Sequence, residues 1–306
     1  AVCPFQKMKR EIVKYQAASE SVTHSVYPGI ELIYNDIHTS EFRLDRPDED
    51  SIFEISHCRE GRVEFSFGGG YCYLSDGDLA VVRGRDTGNI MRCPLSHYHG
   101  ITVRINPALT PRCLSCFLDD VNVEPSALLD KYCRGQSCYI VRSKPEVSHI
   151  FSELYSVPEQ IRRGYYKVKI LELLLFLSAN DLGADCASER SATPSQVRLA
   201  TQIHDFLTDR LDDHITLDEL SGIFHASGTL IKCSFKAVYG VSINSYIRTH
   251  KMQAAALMLR GSGATVLEIA GRFGYDNPSK FACAFRREYG VSPNEYRNMS
   301  YTQMNI

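Results

Sequence analysis

The chain lacks several features that would decide its class at once. No run approaches the ~20 consecutive apolar residues that a membrane-crossing helix needs, so no membrane contact is expected. The first residues, AVCPFQKMKREIVKYQ, carry no long apolar core followed by a small-residue cleavage site, which predicts no secretory signal. There is almost no excess charge: 34 Lys+Arg stand against 36 Asp+Glu, a net −2. Nor is there a tidy cysteine framework. The 11 cysteines are odd in number and irregularly spaced, which predicts reduced thiols in a cytoplasm.

What is present is an ordinary globular composition, 44% apolar and 23% charged, at a length of 306 residues that suggests two domains. The charge is unevenly divided. From Ser195 onward 12 Lys+Arg face 10 Asp+Glu, while the remainder carries 22 against 26. The sign favours an anion-binding C-terminal half.

Residues 30–106 read as short strands separated by Gly/Asp turns, the pattern of a small barrel or sandwich. SIFEISHC and GRVEFSF flank REG, which reads as a hairpin turn; GGGYCYL, SDGD and DLAVVR read as strand, turn, strand; YHGITVRIN is another strand. Pro94, Pro107 and Pro111 break the pattern beyond Arg92. Residues 146–180 turn helical. Val147, Ile150, Phe151 and Leu154 share one face, and YYKVKILELLLFLSAN is apolar nearly all round, which predicts burial, against a second copy or within its own chain. Residues 181–195, rich in small and turn residues, read as a linker between a domain at 1–180 and one at 196–300. The fold class is thus α+β: a β-barrel with helices, then an all-α domain.

The C-terminal part spells one plan twice. Thr216 aligns with Thr265, Glu219 with Glu268, Leu220 with Ile269 and Gly222 with Gly271. With one extra residue in the second turn, Ile231 matches Phe281, Cys233 Cys283, Phe235 Phe285, and Tyr246 Tyr296. TLDE and TVLE each place Thr at the N-cap and Glu three residues on, a capping box that satisfies two backbone donors reciprocally. A short helix, a turn and a second helix come next: a helix-turn-helix, whose second helix enters a major groove. Between the copies INSYIRTHKMQAAALMLR reads as a helix of about 27 Å at ~1.5 Å per residue. It could hold two reading heads near one DNA turn apart, ~34 Å.

Residues 196–297, above all FGYDNPSKFACAFRREYGVSPNEYR, resemble the DNA-binding domain of the AraC/XylS family of transcription regulators. The strands around EGRVEFSFGGGYCYLSDGDL resemble that family's cupin-like sensing domain, and the helices at 146–180 its dimerisation helices. The resemblance implies a regulator of double-stranded DNA, tuned by a small-molecule effector and acting as a homodimer that contacts RNA polymerase. One departure stands out: Cys233 and Cys283 occupy positions where family members commonly carry Arg, which removes two bidentate readers.

Helix geometry selects the DNA-facing residues. Ile231 and Phe235 must face the core, so Ser227, Thr229, Lys232, Cys233 and Lys236 face outward; in the second copy Phe281 and Phe285 face inward, leaving Ser279, Lys280, Ala282, Cys283 and Arg286 outward, with Arg287 at the edge. Lys232 and Thr229 suit bases; Lys236, Arg286 and Arg287 suit phosphates. Ser242 and Ser292 begin further helices whose free N–H groups could hold a phosphate. Cys233 and Cys283 read as half-buried small hydrophobes.

A metal-dependent cupin enzyme is the rival reading of the N-terminal half. His97 and His99 supply the pair such an enzyme needs, but the next Glu is Glu124 and the next His is His149, so no metal centre, cofactor or catalysis is expected. CLSC (Cys113, Cys116) with Cys133 and Cys138 is not a tidy zinc set. Effector-lining candidates beside the strands are His57, Tyr71, Tyr73, Arg83, His97, His99 and Arg104, with either Arg suited to a carboxylate or phosphate. A regulator with no small-molecule ligand is the remaining alternative.

Overall fold

The computed structural model describes residues 19–44, 51–67, 69–84, 89–111, 114, 124–133, 138–179, 191–211, 213 and 215–299. The chain divides into two compact units, Ala1–Pro194 and Ser195–Ile306. Most of the expected linker, residues 181–190, lies outside the described residues, as do Cys113 and Cys116.

The first unit is built on antiparallel strands: β1 (Glu20–Tyr27), β2 (Ile30–Ile37), β3 (Glu41–Arg43), β4 (Phe53–Phe67), β5 (Gly70–Ser75), β6 (Leu79–Arg83), β7 (Ile90–Arg92), β8 (Tyr98–Ile105) and β9 (Cys138–Val141). One sheet runs β1-β2-β8-β4-β6-β9. The second half of β4 joins β5 and β7, and β7 joins β3.

β4 corrects one expectation. REG at 59–61 is not a hairpin turn but the middle of a 15-residue strand. The register shifts between Cys58 and Glu60, a bulge, and Gly61 adopts φ 90°. The local turn signal loses because both halves of the strand are paired along both edges: the first between β8 and β6, the second between β5 and β7. A bulge absorbs the kink that a turn would otherwise make. Only glycine fits there, since a Cβ at position 61 would lie 2.3 Å from the carbonyl oxygen of His97.

Helices α1 (Pro125–Cys133), α2 (Pro145–Leu154) and α3 (Arg162–Ala179) cover one face of the longer sheet. Phe53, Ile55, Val81, Ile101 and Val103 meet Ile150, Phe151, Leu173 and Leu177 in one apolar cluster. Each such side chain contributes roughly 1.5–3 kcal/mol on burial. The opposite strand faces form a second cluster of Ile37, Val63, Phe65, Leu74, Met91 and Ile140. Val147, Ile150, Phe151 and Leu154 are all buried, as the helical spacing predicts. α3 is less buried than expected. Tyr166, Ile170, Leu173, Leu174 and Leu177 pack inward, but Val168 is 61% exposed. Polar residues divide its circumference: Lys169 reaches both Glu153 and Glu172, while Lys167 is exposed.

The second unit is helical: α4 (Pro194–Thr208), α5 (Leu217–Phe224), α6 (Gly228–Tyr239), α7 (Ile243–Gly261), α8 (Val266–Arg272), α9 (Pro278–Tyr289) and α10 (Pro293–Asn298). Both expected capping boxes form. Thr216 accepts from the N–H of Glu219 and Thr265 from that of Glu268, with each Glu carboxylate accepting from its cap's backbone N–H. A third box joins Ser292 and Glu295. α7 is 19 residues long, about 28 Å at ~1.5 Å per residue.

Candidate nucleic-acid interface

The second helix of each copy, α6 and α9, is held by the same aromatic lock. Phe235 and Tyr239 stack at 4.6 Å and 28°, and Phe285 and Tyr289 stack at 4.7 Å and 29°. The edge of Tyr246 meets Phe235 at 5.4 Å, and that of Tyr296 meets Phe285 at 5.3 Å. Ile231, Phe235, Phe281 and Phe285 are fully buried. With these anchors fixed, the opposite faces must point away from the core.

The structure places the expected readers on those faces. Ser227, Thr229, Lys232, Cys233 and Lys236 are exposed on or at the start of α6; Ser279, Lys280, Cys283, Arg286 and Arg287 are exposed on α9, with Ala282 half-buried. Ser227 also caps α6, its hydroxyl accepting from the N–H of Leu230. Asn277 does the same for α9 through the N–H of Ser279. Cys233 and Cys283 are both exposed rather than half-buried. They sit two positions after Ile231 and Phe281, far enough around the helix to leave the core face.

A cleft of about 280 Å³ opens beside α6, lined by Leu217, Leu220, Lys232, Lys236, Ser242 and Asn244 among others. It joins two ammonium groups to the N-terminus of α7, where Ser242 accepts from the N–H of Ser245. A helix N-terminus flanked by lysines suits a phosphate.

The spacer helix is fastened at its far end. Lys251 donates to the carbonyl oxygen of Phe273, at the C-terminus of α8, at 3.2 Å, and Arg297 donates to the carbonyl oxygens of Leu259 and Ala264. These contacts tie α7 to α8 and α10.

The effector candidates of the first unit have protein partners of their own. His57 is buried, its ring stacked on Phe151 at 4.5 Å and 5°, and neither ring nitrogen has a hydrogen-bond partner among the described residues. Burial pushes its pKa down to about 4. Tyr73 donates to Glu64 at 2.6 Å. Arg104 lies between Glu54 at 3.0 Å and Glu31 at 3.4 Å, carboxylates brought to it from the two neighbouring strands. Tyr71 exchanges two backbone hydrogen bonds with Ala192, and Arg83 ends β6, half-buried opposite Phe53. His97 and His99 do come together, rings 5.1 Å apart, beside Glu60 and Asp36 respectively. Sequence reasoning missed a buried polar row of Asn35, Ser56 and Thr102, in which Asn35 donates to the Thr102 hydroxyl and Ser56 shares a bond with it. Its signal was there: a polar residue at the inward parity of each of three adjacent strands. Burial raises the thiol pKa values of Cys58, Cys72, Cys93 and Cys138, which argues against thiol chemistry there.

A family profile described as a helix-turn-helix domain matches residues 220–299. The chain is 26% identical over 262 residues to the uncharacterized HTH-type transcriptional regulator YdiP of Escherichia coli, covering 81% of this chain and 79% of that one. It is 32% identical over 92 residues to the transposon Tn10 TetD protein of Escherichia coli, covering 30% of this chain and 67% of that one. It also spans 30% of the length of the regulator MtrA of Neisseria gonorrhoeae, at 30% identity over 29% of this chain. Among described residues, no helix is long and apolar enough to cross a membrane.

Proposed function

The chain belongs to the AraC/XylS family of DNA-binding transcription regulators, and from that premise we propose that α6 and α9 enter two successive major grooves on one face of a duplex, with α7 setting their separation. The observation that carries this reading is the matched pair of aromatic locks, which give both recognition helices the same footing. Thr229 and Lys232 read bases; Lys236, Arg286 and Arg287 hold phosphates, and Lys232, Lys236 and the start of α7 frame a further phosphate site. With Cys in place of Arg on both helices, the second copy keeps only small residues and Lys280 for base contact. The first copy therefore specifies sequence and the second mainly adds affinity.

The first unit acts as the sensing part. An effector that binds one arrangement of the strand unit better than another shifts the population competent for DNA or RNA polymerase. The polar row of Asn35, Ser56 and Thr102 supplies the hydrogen-bonding end of such a site. The outward stripe of α3, with Val168 exposed and Leu171 and Leu175 half-buried at heptad spacing, supports homodimer formation. The protein works in the cytoplasm and catalyses no reaction.

Fluorescence anisotropy with DNA from upstream of the protein's own gene, against scrambled DNA and across a salt series, tests the reading. Binding that prefers the native duplex and weakens steeply with salt supports it. No binding at any salt overturns it.

A further inference from the structure

His97 and His99 find no metal-ligand partners further along the sequence, but the fold supplies them from the other direction. β2 and β8 pair antiparallel with Asp36 directly opposite His99. Ile37 ends β2, and the next residue, His38, turns back over the same spot, its backbone N–H donating to the Ser19 hydroxyl at 2.9 Å. One carboxylate oxygen of Asp36 then lies 2.8 Å from Nε2 of His38 and 3.1 Å from Nδ1 of His99. The two imidazoles meet edge to face, centroids 5.0 Å apart. Among the described residues this is the one group of three or more His, Cys, Asp or Glu whose donor atoms all lie within 4.8 Å of one another.

We propose that Asp36, His38 and His99 bind a divalent transition-metal ion of the zinc class through two imidazole nitrogens and one carboxylate oxygen. Metal–ligand bonds of about 2.0–2.1 Å in a tetrahedron put donor atoms about 3.3 Å apart. The observed separations reach that with shifts of a few tenths of an ångström. Two nitrogens and one oxygen suit zinc, iron or manganese over calcium and magnesium. Three protein ligands leave a fourth position open to water.

The surroundings are built to match. On the other side of His99, β4 sets Glu60 opposite it, and only because of the bulge: an unshifted register would bring Arg59 there. A guanidinium is thus replaced by a carboxylate beside the site, while Arg59 lies over the Tyr155 ring at 4.6 Å. Glu60 holds His97 at 3.3 Å, and the His97 ring stands 5.1 Å from that of His99. This second His–carboxylate pair flanks the open position. Burial lowers the pKa of His99 more than Asp36 raises it, so the ring favours the neutral form that ligates metals. The site sits one pair beyond Tyr34 and Ile101 on the face that the helices cover, away from the row of Asn35, Ser56 and Thr102. Binding alone is proposed, and it stands independently of the DNA reading.

The test uses the full chain, stripped with a chelator and titrated with Co²⁺ by visible absorption and with Zn²⁺ by calorimetry. Expected is one equivalent bound, with a cobalt spectrum free of thiolate charge transfer. His99→Ala, Asp36→Asn and His38→Ala should each weaken binding by roughly tenfold or more, whereas His149→Ala, an exposed histidine on α2, should not. Circular dichroism shows whether each variant folds, and His38→Ala, outside the strands, is the variant least coupled to folding. Absence of saturable binding, a thiolate-to-cobalt band, or wild-type affinity in folded Asp36→Asn and His38→Ala would each overturn the proposal.

Discussion

The ring of Phe235 meets that of Tyr246 at 5.4 Å and 75°, and fifty residues on Phe285 meets Tyr296 at 5.3 Å and 75°. The repetition therefore extends from sequence to side-chain geometry. Each recognition helix is clamped to the helix after it by the same two-ring contact, with Tyr239 or Tyr289 completing the cluster.

These rings carry the stability of each reading head. Phe235→Ala or Phe285→Ala should cost about 3–5 kcal/mol, since each removes a large ring from a filled core. Thr216→Ala or Thr265→Ala, each breaking a capping box, should cost about 1 kcal/mol. Calorimetric unfolding of the full chain checks both, and equal losses from the ring and cap variants would contradict this ranking.

The two heads should differ in what they read. Lys232→Ala is expected to change the sequence preferred in selection from a random duplex pool, while Lys280→Ala and Ser279→Ala change it less. Lys236→Ala should weaken binding to all sequences alike and reduce the salt slope by about 1. A larger shift in preference from Lys280→Ala than from Lys232→Ala would reverse the assignment.

His57 makes the first unit sensitive to acid. Its ring is buried neutral with a pKa of about 4, against 6.5 for an unburied histidine. The unfolded chain takes up a proton between those values and the folded one does not. The stability this group contributes is present above about pH 6.5 and is lost as pH falls through 4, on the order of 3 kcal/mol in all. His57→Phe keeps a ring against Phe151 and should flatten the pH dependence over that window. Denaturant unfolding of both proteins at about pH 7 and about pH 4.5, either side of most of that window, measures it; an identical loss of stability in the two proteins would sink the assignment.

Thiol reactivity should separate the two units. Cys233 and Cys283 are exposed, whereas Cys58, Cys72, Cys93, Cys133 and Cys138 are buried. Brief treatment of the native protein with iodoacetamide, then peptide mapping, should label the first two and spare the other five. DNA should protect the two labelled positions, since both lie on the outward faces of α6 and α9.

The second unit was legible because its signals are local. Caps, a helical period and aromatic anchors lie within one or two turns of the residues they position. The first unit hid its important relations in register. Arg104 reads as a free anion binder until β2 and β4 bring Glu31 and Glu54 to it. Arg59, Glu60 and Gly61 read as a turn because nothing in their own sequence announces partners on both edges of β4. Asp36 and His38 stand far before His99 in the chain, and only the pairing of β2 with β8 joins them. Cys233 differs from its expected half-burial by one step around a helix.

In the proposed reading, one chain spans two successive grooves across a spacer of fixed length. The most direct measurement is anisotropy of the full chain on a selected duplex, compared with the same duplex lengthened by about five base pairs between its two elements, roughly half a turn. A large loss of affinity is predicted, because α7, tied to α8 and α10 by Lys251 and Arg297, cannot follow the second groove to the other side. Equal affinity for the two duplexes would mean that only one head reads DNA.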